Sequence, residues 1–597
     1  MDVYTQTLLH RVMQHLKFIY SEVEVSTPLS VIAQTVLKAM RLAPDLDAEK
    51  TAHALWSEQD VVLVTYGDSV LSEALVEGDA ETVGQAEKPL VTLKKFLDDY
   101  TKDCVSTVHI LPFFPYSSDD GFSVMNYSEI NQSLGDWSHL TDIADTHRLM
   151  ADVVINHCSI RCVWFEDFLR EEGPGHNFFR IVGAEEDVSQ VIRPRTNALA
   201  YEVERASGPV NVWCTFSHDQ VDFDFRNPDV LIEFVRIIRF YLDRGIRVFR
   251  LDAVGFIWKK SGSTCLNLEE THEIVRLLRT VIEQAEPNAI LITETNVPHQ
   301  ENLAYFGNAN EAHCIYNFSL PPLLLNTLIT GDCCVLRQWM MNMPPARLGS
   351  AYFNFIASHD GIGLRPAEGL LSDEEIEHLI RALTHRGARV SLRTLENNET
   401  RPYEINIALF DALQGTSDGP DQWGLDRFVC AHAIMVAMEG IPGIYIHSLV
   451  GTRNDYEKME HTGRYRSINR HRWNYRDLCD QLSDESTDYA KVYSRMSHLL
   501  ITRIKQPAFH PNATQCVLHL GHHLFGFLRQ SLDKSQDIYC IYNITCEDQE
   551  LTLADINLVS TMHWKDVISG LILTDQCACW ILKPYQAVWI TNFTPSS

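Results

Sequence analysis

The sequence predicts an α/β chain built on a (β/α)8 TIM barrel, with an N-terminal helical extension, a subdomain inserted after strand 3 and a C-terminal antiparallel β-domain. Three observations carry this. Eight short apolar runs alternate with helical patterns between residues 61 and 446, and continuous rather than alternating runs mark strands buried on both faces. Polar and charged residues gather where those runs end: Asp119, Asn156-His157, Asp252, Glu294 and His359-Asp360. A barrel of this kind carries its active site at that end. Beyond residue 505 the texture shifts to short alternating segments such as 516–521, 523–530, 537–545 and 587–593, the pattern of antiparallel strands.

Taken in order, Leu8, Val12, Leu16 and Ile19 repeat at helical spacing, and a second helical stretch is expected to about residue 60, interrupted by Pro44. Residues 1–60 therefore read as a helical extension packed on the main body. The catalytic barrel is expected over 61–504, from runs at 61–67, 106–117, 148–157, 246–255, 288–296, 314–320, 351–361 and 441–446. A long irregular stretch at about 160–220 reads as the inserted subdomain. A second, at about 393–425, carries Asn397, Asn398, Gly415, Gly419 and Pro420 and reads as a mobile loop. Residues 505–597 form the β-domain. Internal repeats and low-complexity segments are not found.

Composition narrows the function. The chain has 597 residues, 45% hydrophobic and 22% charged, which is ordinary for a folded globular protein and excludes disordered and fibrous classes. Fifty Lys+Arg against 79 Asp+Glu give a formal charge of −29. Such a surface repels phosphate backbones and anionic lipid, so neither nucleic acid nor membrane is the expected partner. The fifteen cysteines are scattered; Cys333-Cys334 and Cys577 with Cys579 lack a second pair at zinc-site spacing. They read as small buried hydrophobes in a reducing compartment. The first residues lack a basic start followed by an apolar run, and no stretch approaches 18 uncharged apolar residues, so a cytoplasmic location is expected.

Three acids stand at strand ends: Asp252, Glu294 and Asp360. An acid there must be paired or used. A salt-bridged carboxylate at the rim explains one such residue as well as catalysis does. Three at one rim, with Arg250 and His359 beside two of them, point to chemistry. Retaining glycosidases need two carboxylates about 5 Å apart, a nucleophile and a general acid/base. Asp252 suits the nucleophile, because Arg250 two residues back on the same strand face would keep it ionised. Glu294 suits the acid/base, because its apolar flanks would raise its pKa. Asp360 would then bind sugar hydroxyls and stabilise the transition state.

The segments DVVINH (152–157), FRLDAVG (249–255), ITETN (292–296) and ASHDG (357–361) resemble four short regions of glycoside hydrolase family 13, the α-amylase clan. HILPFFPYSSDDGFSV (109–124), LGDW, IRPR (192–195), NFSLPPLLLN, SHDGIGLRPAEGLL, PYEIN (402–406) and SINRHRW (467–473) resemble its sucrose phosphorylase branch, over roughly residues 60–500. The resemblance implies a retaining α-glucoside phosphorylase of glycosyltransferase type. It would cleave sucrose or a closely related α-glucoside with inorganic phosphate, giving α-D-glucose 1-phosphate through a β-glucosyl-enzyme. By the same resemblance Asp119, His157, Arg250, His359 and Arg470 hold the glucosyl ring, and Phe122 and Phe216 pack on it, where core filling is the simpler alternative. Arg193, Arg195 and Tyr403 would supply positive charge and donors for phosphate; for the arginines the plain alternative is a surface pair.

The chain departs from the shorter sucrose phosphorylases. Glu404 stands where they carry glutamine, Thr295-Asn296 replaces their Val-His type, and residues 1–60 are extra. Longer relatives acting on glucosylglycerate, glucosylglycerol or sucrose 6′-phosphate share the donor chemistry, so the acceptor stays open. A carboxylate at Glu404 facing the acceptor leans towards a neutral one, fructose or glycerol, unless an arginine compensates it. Rival readings are a hydrolase or transglucosidase of the same clan and a non-enzymatic subunit. The last predicts loss of one of the three acids, and all three are present. No organic cofactor signature is found. The branch generally lacks the clan's calcium, so no metal is expected, and Asn156, which matches a calcium ligand, becomes a supporting hydrogen-bonding residue. The branch includes homodimers, for which the N-terminal helix could serve as interface.

Overall fold

The computed structural model describes residues 7–46, 55–76, 87–394, 400–556, 563–573 and 579–593. All eight apolar runs form strands of one closed parallel barrel: Val62–Thr65, Thr107–Ile110, Arg148–Val154, Ile246–Asp252, Ile290–Thr293, Cys314–Tyr316, Ala351–Asn354 and Ile441–Tyr445. The first strand closes the ring on the eighth, with Val62 opposite Gly443. Continuous apolarity follows from the architecture, since each strand packs inward on the barrel core and outward on helices. A Cβ at Gly443 would lie 2.5 Å from the Phe353 ring, so only glycine lets these neighbouring strands approach. The connecting helices are locally encoded. Pro228–Leu242, for instance, starts where the Asn227 side chain accepts from the Asp229 N–H and proline occupies the first turn.

The first helix, Leu8–Ile19, buries the four residues whose spacing predicted it. The second, Leu29–Met40, stops earlier than expected. Arg41 adopts φ 60°, ending the helix, and Pro44 forces the preceding residue towards extended backbone. Both helices pack on barrel helices, Glu269–Ala285 and Pro228–Leu242, and His15 Nδ1 lies 2.6 Å from Glu273 Oε1.

Two segments expected to be irregular carry regular structure. Residues 160–220 include the helix Val163–Arg170 and the hairpin Ala200–Arg205 with Gly208–Trp213. In the 393–425 segment, Thr400–Asn406 pairs with Arg389–Thr394 on one side and Ile362–Gly363 on the other. The hairpin was hidden because its strands lie largely at the surface, where polar residues blur the period-2 pattern; Thr400–Asn406 was hidden because its buried half, Tyr403 to Asn406, includes the polar Glu404 and Asn406. Asn397 and Asn398 lie outside the described residues. The C-terminal domain is antiparallel as expected: a six-stranded sheet from Thr514–Val517 to Ala587–Phe593, and a two-stranded one. Among the described residues no helix is long and apolar enough to cross a membrane.

Candidate active site

Asp252 is the last residue of the fourth strand, Glu294 follows the fifth directly, and Asp360 lies in the loop after the seventh. These acids line one pocket with Asp119, Phe122, His157, Arg195, Phe216, Arg250, His359 and Tyr403. The fold therefore brings together eleven of the fourteen sequence-predicted site residues, all except Arg193, Glu404 and Arg470.

Arg250 organises the centre. Its Nη1 donates to Asp252 Oδ1 at 2.7 Å and to Asp152, and its Nη2 lies 4.0 Å from Glu294 Oε2. Asp152 is fixed from behind by His109 Nε2 at 2.8 Å. Burial opposes ionisation of Asp152, but Arg250 and His109 outweigh it and bring its pKa down to about 2. Burial raises Asp252 well above the ordinary carboxyl value; Arg250 opposes this, while Glu294 and Asp152 add to it. Burial raises Glu294 too, again against Arg250 and with Asp360 adding. The two raised acids share one dry site with a single guanidinium. It lies 2.7 Å from Asp252 but 4.0 Å from Glu294, so it favours the charged form of Asp252 more strongly than that of Glu294.

Local backbone supports this division. Ala253 sits at φ 52°, the left-handed region, at a cost of about 1–2 kcal/mol for a non-glycine residue. In that conformation its N–H donates to Glu294 Oε2 at 3.1 Å, tying the second acid to the residue after the first. Asp119 also has positive φ, 54°, at a turn where Gly121 is obligatory: at φ 110° a Cβ there would lie 2.7 Å from the Pro112 carbonyl. That turn presents Asp119 to Gln220 Nε2 at 3.2 Å and Asp120 to Arg470. Burial would raise Asp119, yet Arg195, Arg466 and Arg470 lower it, so it stays ionised.

The aromatic and histidine walls pack on one another. Phe122 stacks on His359 with centroids 5.1 Å apart at 7°, and Phe216 lies 4.9 Å from His157. Burial lowers His359 to about 3 and also lowers His157, so both rings are neutral. His157 Nε2 lies 3.1 Å from the Phe122 carbonyl and 3.2 Å from Gln220 Nε2.

Four placements correct the sequence reading. Arg470 stands outside the pocket wall: it donates to Asp120 and, at 2.7 Å, to the His359 carbonyl, and its Nη2 is 3.8 Å from Asp360. Arg466, one turn earlier and unforeseen, lines the pocket instead and holds Asp360 at 2.5 Å. Burial opposes ionisation of Asp360, but Arg466, with Arg470 and Arg250 behind it, keeps it well below the usual carboxylate range. Glu404 does not face an acceptor. It is 1% exposed, and Arg466 grips both its oxygens at 3.0 and 2.9 Å, so the lean towards a neutral acceptor loses its premise. Arg193 spends its guanidinium on the carbonyls of Asn197 and Cys214, bracing the loop that presents Arg195. Gln220, Asn296 and Arg365 also line the pocket and were missed: Gln220 lies in no quoted motif, and Asn296 and Arg365 lie inside motifs in which no role was assigned to them.

The pocket's charge differs from that of the whole chain. Four acids face four guanidinium groups, Arg195, Arg250, Arg365 and Arg466. In a protein of formal charge −29, this concentration of guanidinium groups can admit an anion beside carboxylates.

The oxygens of Asn156 and Asp222, where a cation could bind, are already occupied by the Lys259 ammonium at 2.8 Å from each. Asn156 thus supports the loop behind His157. Replacing Lys259 with methionine would leave Asp222 buried without its cation, a loss of about 3–5 kcal/mol. Thermal unfolding should show a clearly lowered midpoint; an unchanged one would mean the ammonium is dispensable. Elsewhere among the described residues, Asp332, Cys334 and His522 cluster at the surface, but Arg337 Nη2 lies 3.4 Å from Cys334 Sγ and opposes a metal cation.

Residues 95–360 match the family model of the α-amylase catalytic domain. The chain is 39% identical to a glucosylglycerate phosphorylase of Spirochaeta thermophila, over 89% of this chain and 90% of that one. It is 38% identical to a glucosylglycerate phosphorylase of Allomeiothermus silvanus, over 99% and 100%. Among solved structures, sucrose 6F-phosphate phosphorylase from Thermoanaerobacter thermosaccharolyticum superposes with a TM-score of 0.69 at 24% identity, covering 82% of this chain and 95% of that one.

Proposed function

The chain belongs to glycoside hydrolase family 13, the α-amylase family, within its glucoside phosphorylases, and from that premise we propose that it cleaves glucosylglycerate with inorganic phosphate to α-D-glucose 1-phosphate and glycerate. The observation that carries the choice of acceptor is the pair of pocket guanidinium groups that no acid side chain bonds, Arg195 and Arg365, which suits an anionic leaving group as well as phosphate. Three relatives above a third identity, the two above among them, bear the same name. Fructose and glycerol offer no charge to pair with those guanidinium groups.

In this reading Asp252 attacks the anomeric carbon while Glu294 gives its proton to the departing glycerate oxygen. The glycosidic C–O bond breaks and a β-glucosyl ester forms on Asp252. Arg250 keeps the nucleophile charged beforehand and holds it in line. Asp360, ionised by Arg466, faces the positive charge that develops on the ring and takes sugar hydroxyls. Asp119, His157, His359 and Phe122 hold the glucosyl ring. Phosphate then enters where glycerate left, next to Arg195 and Tyr403. Its attacking oxygen yields its proton to Glu294, the ester bond breaks, and α-glucose 1-phosphate leaves with two inversions at carbon 1. Arg470 acts from behind, through Asp120 and the His359 carbonyl.

The reverse reaction tests the acceptor. With glucose 1-phosphate as donor, phosphate release should be at least about tenfold faster with D-glycerate than with glycerol, fructose or fructose 6-phosphate, the factor that one charge-assisted contact supplies. Fructose as the preferred acceptor would return the chain to the sucrose reading.

A further inference from the structure

The four pocket arginines are not equivalent. Arg250 is spent on Asp152 and Asp252, and Arg466 on Asp360 and Glu404. Arg195 and Arg365 line the same pocket, and no side-chain hydrogen bond or ion pair holds either of them among the described residues. Arg195 acts on Asp119, one of the residues that hold the glucosyl ring in the reading above, and on Tyr403. Arg365 opens the short helical turn Arg365–Ala367, directly after the strand Ile362–Gly363, and the Leu364 N–H donates to the Tyr403 carbonyl at 3.0 Å. That bond seats Arg365 beside Tyr403.

Its surroundings favour an absent anion. Arg365 is partly buried, and Arg393 is close enough to destabilise its charge, while Arg393 itself is satisfied by Glu368 at 2.5 Å. Burial, then Arg393, lowers the pKa of Arg365, and Glu301, Tyr403 and Glu368 offset this only in part; the guanidinium remains charged at neutral pH. A half-buried cation beside another cation, with no side chain bonded to it, gains from an anion that bonds it directly. Asn296 lines the same wall, and its buried Oδ1 has no hydrogen-bond partner. An anion with an adjacent hydroxyl would meet both: carboxylate on the guanidinium fork, hydroxyl on the amide.

We propose that Arg365 anchors the carboxylate of the acceptor, with Asn296 Oδ1 accepting from the 3-hydroxyl that stays free when the 2-oxygen carries the glucosyl group, so that Arg365 sets specificity for a 2-hydroxy acid leaving group. This rests on the glucosylglycerate reading and extends it to a residue. The carboxylate of a glycerate bonded through its 2-oxygen lies one carbon beyond the scissile oxygen, so its anchor belongs on the wall just outside the acids and not among them.

The test compares donors in wild type, Arg365→Gln and Arg365→Lys, all with inorganic phosphate. For Arg365→Gln, kcat/KM should fall at least about tenfold further with glucosylglycerate than with glucosylglycerol, mostly through KM. Arg365→Lys should recover part of that difference, because it keeps the charge but loses the two-pronged geometry. The KM for phosphate, measured with α-glucosyl fluoride as donor, reports on phosphate binding separately and on whether the variant is folded. Equal losses on both donors, or a loss confined to the phosphate KM, would overturn the assignment and make Arg365 a phosphate or structural residue. Failure of the underlying reading looks different: wild type itself would then not prefer glucosylglycerate.

Discussion

Asp252→Ala loses phosphorolysis, with kcat expected to fall by at least about 10^4-fold, because no other group can form the covalent intermediate. The fold should survive. Arg250 keeps its contact with Asp152, so removing Asp252 leaves the guanidinium paired, and one raised carboxyl leaves the buried site. Circular dichroism and the melting midpoint should therefore stay near wild type. A second readout is specific to the covalent role. Azide, small enough to enter the vacated space, should restore turnover of α-glucosyl fluoride and give β-glucosyl azide by a single inversion. More than about a hundredth of wild-type phosphorolysis surviving in the variant would refute the assignment of Asp252.

Glu294→Gln should separate donors by their leaving groups. Glycerate leaves as an alkoxide unless it is protonated, so phosphorolysis of glucosylglycerate should drop by about 10^2–10^4-fold. Fluoride needs little protonation, so glucosyl fluoride should lose far less in the step that forms the intermediate. The pH dependence follows from the same group. Burial raises Glu294, so the protonated form persists to higher pH than an ordinary glutamic acid allows. For glucosylglycerate, kcat/KM should then decline as pH rises through that raised value, and the decline should be much weaker with glucosyl fluoride. Equal losses on both donors, or an alkaline limb shared by both, would remove Glu294 from the acid role.

Much of the architecture was legible because barrel strands encode themselves strongly. Val62–Thr65 and Ile290–Thr293 are buried along their whole length, and a continuous apolar run is the one pattern that such burial requires. The acids at their ends stand out for the same reason. Exposed strands do not announce themselves: Ala200–Arg205 alternates between half-exposed and exposed positions, and no apolar signal survives there. In the site, motif residues were legible, while partners chosen by the fold were not. Arg466 and Glu404 are 62 positions apart and meet only because the turn Tyr465–Asn469 packs against the strand Thr400–Asn406. Glu404 therefore read as a free carboxylate facing the acceptor, when its charge is consumed by a guanidinium that spacing alone could not assign. Lys259 is a similar case, 103 residues from Asn156, whose amide oxygen it occupies.

The most direct measurement is phosphorus and proton NMR of the purified protein incubated with glucosylglycerate, with and without inorganic phosphate. The account predicts α-D-glucose 1-phosphate as the first product, formed only when phosphate is present and in step with released glycerate. Free glucose appearing at the same rate without phosphate would contradict it and make the chain a hydrolase. The β-anomer of glucose 1-phosphate would contradict the double displacement on Asp252.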